Sequence, residues 1–271
     1  MSCVFEIICL GNELLIGKTL NTNGQWLARY ITNLGGKVRR IIVAGDDISE
    51  ISSVVNESLA RRPAFIVSTG GLGPTFDDKT IEAVAMALGK AMELNEEAFR
   101  MVKEKYHQYE TVIHKKIDLS PARLKMARLP KDAVPLPNPI GTAPSVLTEH
   151  VPTKIVCLPG VPSEMKAIFE ESVVPLIKRC VGELFYYEES FESTGIIESE
   201  LAPLIDEVMR ENPYVYVKSN PKAAEPIPLI KLLIFTSSPS KEEAKNRVKA
   251  AGIQISRLIV ERGGRIKPFT L

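Results

Sequence analysis

The stretch Ser68-Thr69-Gly70-Gly71-Leu72-Gly73-Pro74-Thr75-Phe76-Asp77-Asp78-Lys79-Thr80 carries the residue types that bind phosphate. It follows the apolar run Ala64-Phe65-Ile66-Val67 and precedes 81–89, where apolar residues recur at helical spacing and stop at Gly89. Gly70, Gly71 and Gly73 would let backbone N–H groups approach an anion, and the helix start adds partial positive charge there. Thr75 and Thr80 add hydroxyls to the same place. Asp77 and Asp78 would repel a bare phosphate, and a divalent cation bridging carboxylate and phosphate oxygens removes that conflict. A helix N-cap accounts for one of the two aspartates but not for both.

The elements that must position this loop alternate. Strands are predicted over Val4–Leu10, Val38–Ala44 and Ala64–Thr69, with helices over Thr22–Leu34 and Ile48–Arg61 between them. Such alternation predicts a three-layer α/β/α domain around a mostly parallel sheet, with the ligand beyond the carboxyl ends of the strands. Helices follow at Asn95–Gln108 and Pro121–Leu129, short strands at 133–136, 145–148 and 154–158, and a helix at Pro162–Arg179. The pattern changes near 181. A strand over Phe185–Ser193, a helix over Ser199–Glu211, strands over Tyr214–Ser219 and Ile227–Thr236 and a helix over Lys241–Val260 describe a smaller α+β unit. Two domains are therefore expected, 1–180 and 181–271.

Three further motifs accompany the glycine loop. They are Gly11-Asn12-Glu13-Leu14-Leu15-Ile16-Gly17 with Asn21-Thr22-Asn23, then Pro137-Asn138-Pro139-Ile140-Gly141-Thr142-Ala143-Pro144, then Leu158-Pro159-Gly160-Val161-Pro162-Ser163-Glu164-Met165. In this order they resemble the CinA family (competence/damage-inducible protein A), whose amino-terminal domain is similar to the MoaB/MogA molybdopterin-binding fold. The resemblance covers roughly the first two thirds of the chain. It implies a metal-dependent nucleotide pyrophosphohydrolase that cleaves ADP-ribose or a related dinucleotide pyrophosphate to mononucleotides, and a homodimer. It also implies that residues 181–271 form a KH-like module. Full-length CinA proteins carry a further carboxy-terminal domain that deamidates nicotinamide mononucleotide, and that activity is not expected of a chain ending at Leu271.

Carried over residue by residue, the resemblance makes Asp78 a site carboxylate and metal ligand, joined by Asp46 or Asp47 from the loop after the second strand. The metal would be magnesium, manganese or cobalt. Capping of the helix at Ile48 is the competing reading for Asp46 and Asp47. Glu13 or Asp77 is the candidate general base, although Glu13 also suits the first turn of a helix. Asn12, Asn23, Lys125, Gly141, Thr142, Gly160 and Ser163 are the remaining candidates for substrate contact. Asn23 has helix capping as an even alternative, Lys125 an ordinary surface role, and Gly160 with Ser163 a tight turn entering a helix. MoaB/MogA adenylyltransferases usually have Gly-Gly-Thr-Gly and an Arg before the site Asp. Leu72 and Asp77 stand there instead, which favours the CinA branch over pterin adenylylation. A nucleotide sensor without catalysis is a third reading.

Composition bounds the rest. In 271 residues, 45% are hydrophobic and 25% charged, with a net charge of +1, so no bulk attraction to nucleic acid or membranes is expected. No G-x-x-G occurs after residue 181, so RNA binding by a KH-type grip is not expected either. The cluster Lys103, Lys105, Lys115 and Lys116 is interleaved with Glu96, Glu97, Glu104 and Glu110 and reads as a solvated helix face. No apolar run reaches membrane-span length and no leader pattern opens the chain, so a cytosolic protein is expected. Cys3, Cys9, Cys157 and Cys180 lack metal-ligand spacing and predict no disulfide framework in that compartment. The scattered His107, His114 and His150 give no zinc site, which leaves carboxylates and a hard cation.

Overall fold

The computed structural model describes residues 3–182, 184–222 and 229–268. The chain divides into two compact units, Met1–Thr32 with Gly36–Val181, and Gly182–Leu271 with Asn33–Gly35.

In unit 1 the elements run β1 (Val4–Leu10), α1 (Asn12–Leu15), α2 (Thr22–Asn33), β2 (Lys37–Ala44), α3 (Ile48–Ala60), β3 (Phe65–Thr69) and α4 (Thr80–Leu88). Then come β4 (Met92–Leu94), α5 (Glu96–Ile113), α6 (Pro121–Lys125), β5 (Arg128–Pro130), β6 (Val134–Leu136), β7 (Ser145–His150), β8 (Thr153–Leu158), α7 (Pro162–Ile168) and α8 (Val174–Val181). Among the described residues six strands form one sheet in the order β2-β1-β3-β8-β7-β6. The β2-β1, β1-β3 and β3-β8 pairs are parallel, while β8-β7 and β7-β6 are antiparallel.

Alternation in β1 sends side chains to both faces. Ile8 and Leu10 join Ile51 and Val55 of α3, Val84 of α4 and Val102 of α5 in one apolar cluster. On the opposite face the Cys9 thiol is hydrogen-bonded by Asn21, just ahead of α2. Gly36, just after α2, lies so close to Phe5 and Ile31 that a side chain there would strike both. Helices therefore cover both faces, which is the expected three-layer arrangement.

Three local expectations change. The single helix over Pro162–Arg179 is interrupted by a π-helical turn at Phe169–Val173, closed by the Val174 N–H on the Phe169 carbonyl. Pro175 explains it, because its ring lacks an N–H and crowds the carbonyl four residues back. The helix expected over Pro121–Leu129 stops at Lys125, since Arg128–Pro130 pairs with Met92–Leu94 as a small antiparallel ladder. Finally, Cys3 and Cys180 form a disulfide, against the expectation of none. Their 177-residue separation leaves no local spacing to read, and only folding brings the start of β1 beside α8. Cys9 and Cys157 are free and buried, as small hydrophobes should be.

Unit 2 runs β9 (Phe185–Thr194), α9 (Glu198–Glu211), β10 (Val215–Lys222), β11 (Leu229–Ser238), α10 (Lys241–Glu261) and β12 (Arg265–Pro268). Its sheet is antiparallel in the order β10-β11-β9-β12, and residues 227–228 of the strand expected at 227–236 lie outside the described residues. Ile230, Leu232 and Ile234 of β11 alternate into a core with Leu201 and Val208 of α9 and Val248 and Ile255 of α10. The β-α-β-β-α-β order is the split β-α-β motif. Two strands separate α9 from α10, so the gripping loop between helices that marks a KH module is not formed by them.

Glu6 in β1 is fully buried, a charge that the strand pattern did not flag. Arg61 grips it from the end of α3, with Nε 2.9 Å from Oε1 and Nη2 2.7 Å from Oε2. Burial alone would push the Glu6 carboxyl up, but the hydrogen bonds of Arg61 and Ser58 and the charges of Arg61 and Arg40 hold it below its usual range. Arg61→Ala should therefore lower stability by about 3–5 kcal/mol, because the carboxylate stays buried without its partner. A depressed carboxyl stabilises fully above its unfolded value and loses that share as pH falls through the folded value. The gap between the two proteins in urea denaturation should accordingly narrow as pH drops below about 4. Separately, Cys3→Ser should remove about 4–5 kcal/mol by the chain-entropy estimate for so long a loop, read as a lower denaturation midpoint.

Candidate functional site

The carboxyl ends of β1, β2, β3 and β8 lie along one edge of the sheet, and the loops that follow them are laced together. Gly11 donates its N–H to the Ala44 carbonyl (3.1 Å) and Gly70 to that of Leu158 (3.0 Å). The Asn12 N–H donates to Asp46 Oδ2 at 2.9 Å, and the Asp46 N–H is directed back at Asn12 Oδ1 at 3.4 Å. Asn23 Nδ2 donates to Thr69 Oγ1 (3.0 Å) and to the Gly160 carbonyl (2.8 Å), while Thr69 donates to the Pro159 carbonyl (2.8 Å). Asn12, Asn23 and Asp46 thus tie loops to one another with the very groups expected to meet a substrate or metal.

The glycine loop departs from β3 with Gly70 at φ 113° and Gly71 at φ 68°, values that side chains disfavour. A Cβ on Gly70 would collide with the Leu10 carbonyl, and one on Gly71 with Thr80 Oγ1. Thr80 is buried and donates its hydroxyl to the Gly70 carbonyl at 2.7 Å. Its hydroxyl, expected to meet a substrate, holds the loop's shape.

Past the glycines, Thr75 organises both carboxylates. Its N–H donates to Asp78 Oδ2 at 2.8 Å, and its hydroxyl lies 2.6 Å from the same oxygen and against Asp77 Oδ1. Lys125 Nζ donates to the Thr75 carbonyl at 2.8 Å, fixing the turn from α6. The Thr75 hydroxyl, the Asp77 N–H and the charges of Lys125 and Lys79 hold the Asp77 carboxyl below its usual range. A carboxylate so stabilised is a weak proton acceptor, and Asp77 suits charge placement better than general-base work. Asp47 is engaged elsewhere. It caps α3, accepting from Ser49 and Glu50, and the Ser49 hydroxyl and these N–H groups lower its pKa.

The expected site residues divide among clefts. Gly71, Gly73, Asp78 and Lys125 line one of about 260 Å³, with Leu72, Met126 and Pro144 as apolar wall and Glu82 and Arg128 at its polar margin. Glu13, Asn23 and Gly160 line a second of about 120 Å³, with Asn21 and Thr69. Thr142 lines a third, beside Asn138 and Lys105. Glu13 and Asp78, expected in one crevice, line different clefts. Gly141 is folded in on its own loop, where Asn138 accepts from its N–H at 2.8 Å and donates to Glu164 at 2.7 Å. Ser163 is exposed on the first turn of α7.

Sequence reasoning missed Arg128 and Glu82, which carry no motif, and it gave Asn138 no role. Asn138 is buried and also donates to the Ala143 carbonyl at 2.9 Å, so one side chain sets the 138–143 loop. Its place between two prolines was the available signal. Among the described residues no group of three or more His, Cys, Asp or Glu is arranged to hold a metal ion.

Residues 6–179 match the model of the family described as "Probable molybdopterin binding domain". The chain belongs to that family. Proteins of Caldivirga maquilingensis and Pyrobaculum arsenaticum are 47% and 45% identical to it, over 97% and 95% of this chain and the same shares of theirs. The crystal structure of CinA, a protein of unknown function from Thermoplasma acidophilum, is 39% identical with a TM-score of 0.58 and covers 64% of this chain and 98% of that one. The matched span of the molybdopterin-binding-type domain coincides with unit 1 and contains all three clefts.

The close approach of Gly70 to β1 is testable against a matched control. Gly89 also has positive φ (61°) but open space around a would-be Cβ. Gly89→Ala should lose only about 1 kcal/mol for left-handed backbone, while Gly70→Ala should lose clearly more in the same urea titration, because the Leu10 carbonyl must move.

Proposed function

We propose that unit 1 is a metal-dependent nucleotide pyrophosphohydrolase of CinA type, acting on ADP-ribose or a related dinucleotide pyrophosphate. The observation that carries this reading is a glycine loop whose Gly71, Gly73 and Asp78 line one cleft, with Asp77 held beside Asp78 on Thr75. The likeness to CinA of Thermoplasma acidophilum over the same span supports the CinA-type part of this reading.

The donor set fits a hard divalent cation, because Asp77 and Asp78 supply adjacent oxygen ligands. Magnesium commonly takes one or two carboxylates and completes its shell with substrate phosphate and water. Bound there, such a cation would polarise a phosphoryl oxygen. Asp78 and Asp77 would hold it, and Asp47, occupied as a helix cap, would not. The chain's own residues do the rest. Gly71 and Gly73 present backbone to the pyrophosphate. Lys125, anchored on Thr75, and Lys79 beside it offset anionic charge, while Leu72, Met126 and Pro144 give a planar base a dry wall. The protein would act in the cytosol as a homodimer.

A second reading, pterin binding with adenylyl transfer, draws on the family match to molybdopterin-binding domains. Product analysis separates the two. Protein incubated with ADP-ribose, FAD or ATP and magnesium, manganese or cobalt should release AMP from the first two. Asp78→Asn should lower that rate about 10²-fold, beyond any loss of binding. Tight pterin retention with ATP-dependent adenylylation and no AMP from ADP-ribose would overturn the hydrolase reading.

A further inference from the structure

Two charged residues of the glycine-loop cleft, Arg128 and Glu82, belong to none of the sequence motifs. We propose that Arg128 is the cation by which this cleft holds the phosphate of a nucleoside phosphate, which rests on the cleft being the pyrophosphate site. The backbone that carries Arg128 is fixed on both sides. Ala127 and Leu129 are buried in the core, and Arg128 itself pairs with Leu94 across the small β4–β5 ladder. The alternation that sends Leu129 inward leaves the Arg128 side chain exposed, lining the cleft. Its Nη2 donates to the Met92 carbonyl at 3.3 Å. That contact steadies the guanidinium and spends one N–H of a fork that carries several more.

The other charges near the glycine loop are committed to the loop itself. Lys125 Nζ donates to the Thr75 carbonyl at 2.8 Å, and its charge acts on Asp77. Asp78 Oδ2 accepts from the Thr75 N–H at 2.8 Å, and the charge of Lys79 acts on Asp47 and Asp77. Among the described residues Arg128 forms no ion pair, so no carboxylate of the protein meets its charge at close range. A planar guanidinium fork matches two phosphate oxygens in parallel bonds, a geometry that the ammonium of Lys125 does not offer. Glu82 supplies the competing use. It is exposed on the same cleft and equally without an ion pair among the described residues, so Arg128 would then serve only to balance it through water. Substitutions at the two positions separate these uses by sign.

The test is calorimetric titration of the full chain with ADP in the presence of a chelator, so that turnover does not enter. Arg128→Ala should weaken ADP binding about tenfold, the loss of a charge-assisted hydrogen-bonded pair. It should also flatten the salt dependence of binding, with a thermal melt that matches wild type. Arg128→Lys should recover part of the loss, since it keeps the charge without the fork. Glu82→Gln should bind ADP as tightly as wild type or more tightly, because a like charge has gone from the cleft. Unchanged ADP affinity in Arg128→Ala, or no binding by wild type up to about 1 mM ADP, would overturn the proposal. Weaker ADP binding in Glu82→Gln, equal to that of Arg128→Ala, would overturn it too by making the two charges a structural pair. The hydrolase reading fails separately. AMP release from ADP-ribose together with unchanged ADP binding by Arg128→Ala sinks this inference alone, and Arg128-dependent ADP binding without AMP release sinks the hydrolase alone.

Discussion

Everything at the candidate site depends on how closely two parallel strands of unit 1 can end side by side. The chain leaves β3 through Gly70, whose Cα lies so near the Leu10 carbonyl of β1 that no side chain fits between them. That contact lets the glycine loop bend back across the sheet edge, where Thr80 pins it through the Gly70 carbonyl. Neighbouring loops meet the same constraint with polar side chains. Asn23 bridges the end of β3 to Gly160, and Asn12 with Asp46 bridges β1 to β2. Backbone groups stranded at strand ends need partners, and several residues that resemble ligand-binding groups in the sequence are those partners.

The electrostatics follow from this division of labour. Asp47 closes the start of α3, while Asp77 and Asp78 are gathered by Thr75, Asp78 in the lining of the largest of the three site clefts. Three nearby aspartates thus have different tasks, set by which N–H groups reach them first. Lys79 adds positive charge near both Asp47 and Asp77, and Lys125 near Asp77. The loop therefore favours the ionised form of Asp77 before any ligand arrives, as a site for cationic or cation-bridged groups requires.

Much of the fold was legible because period and punctuation agree. Val4–Leu10 alternates into two cores, Gly89 stops α4 in a left-handed cap, and Asn95 caps α5. The parts that were not legible depend on partners distant in sequence. Arg128 reads as the tail of a helix until Met92–Leu94 claims it as a strand. Cys3 and Cys180 show no spacing, and the pairing of Glu6 with Arg61 spans 55 residues. At the site, the glycine loop and Asp78 were readable from local pattern. The division of Glu13 and Asp78 between two clefts was not, because it depends on loops that follow different strands.

The Cys3–Cys180 bond also changes the connectivity of the molecule. With its first strand joined to its last helix, the chain from Cys3 to Cys180 is a closed covalent ring, and residues 182–271 follow it as a chain attached at one end. A single backbone cut anywhere between the two cysteines opens the ring but releases no fragment, and all three clefts stay on one molecule. A cut just beyond Val181 detaches residues 182–271. For a nicking protease the two units are thus unequal targets, and what survives a first cleavage is decided by one sulfur–sulfur link at the far ends of the domain.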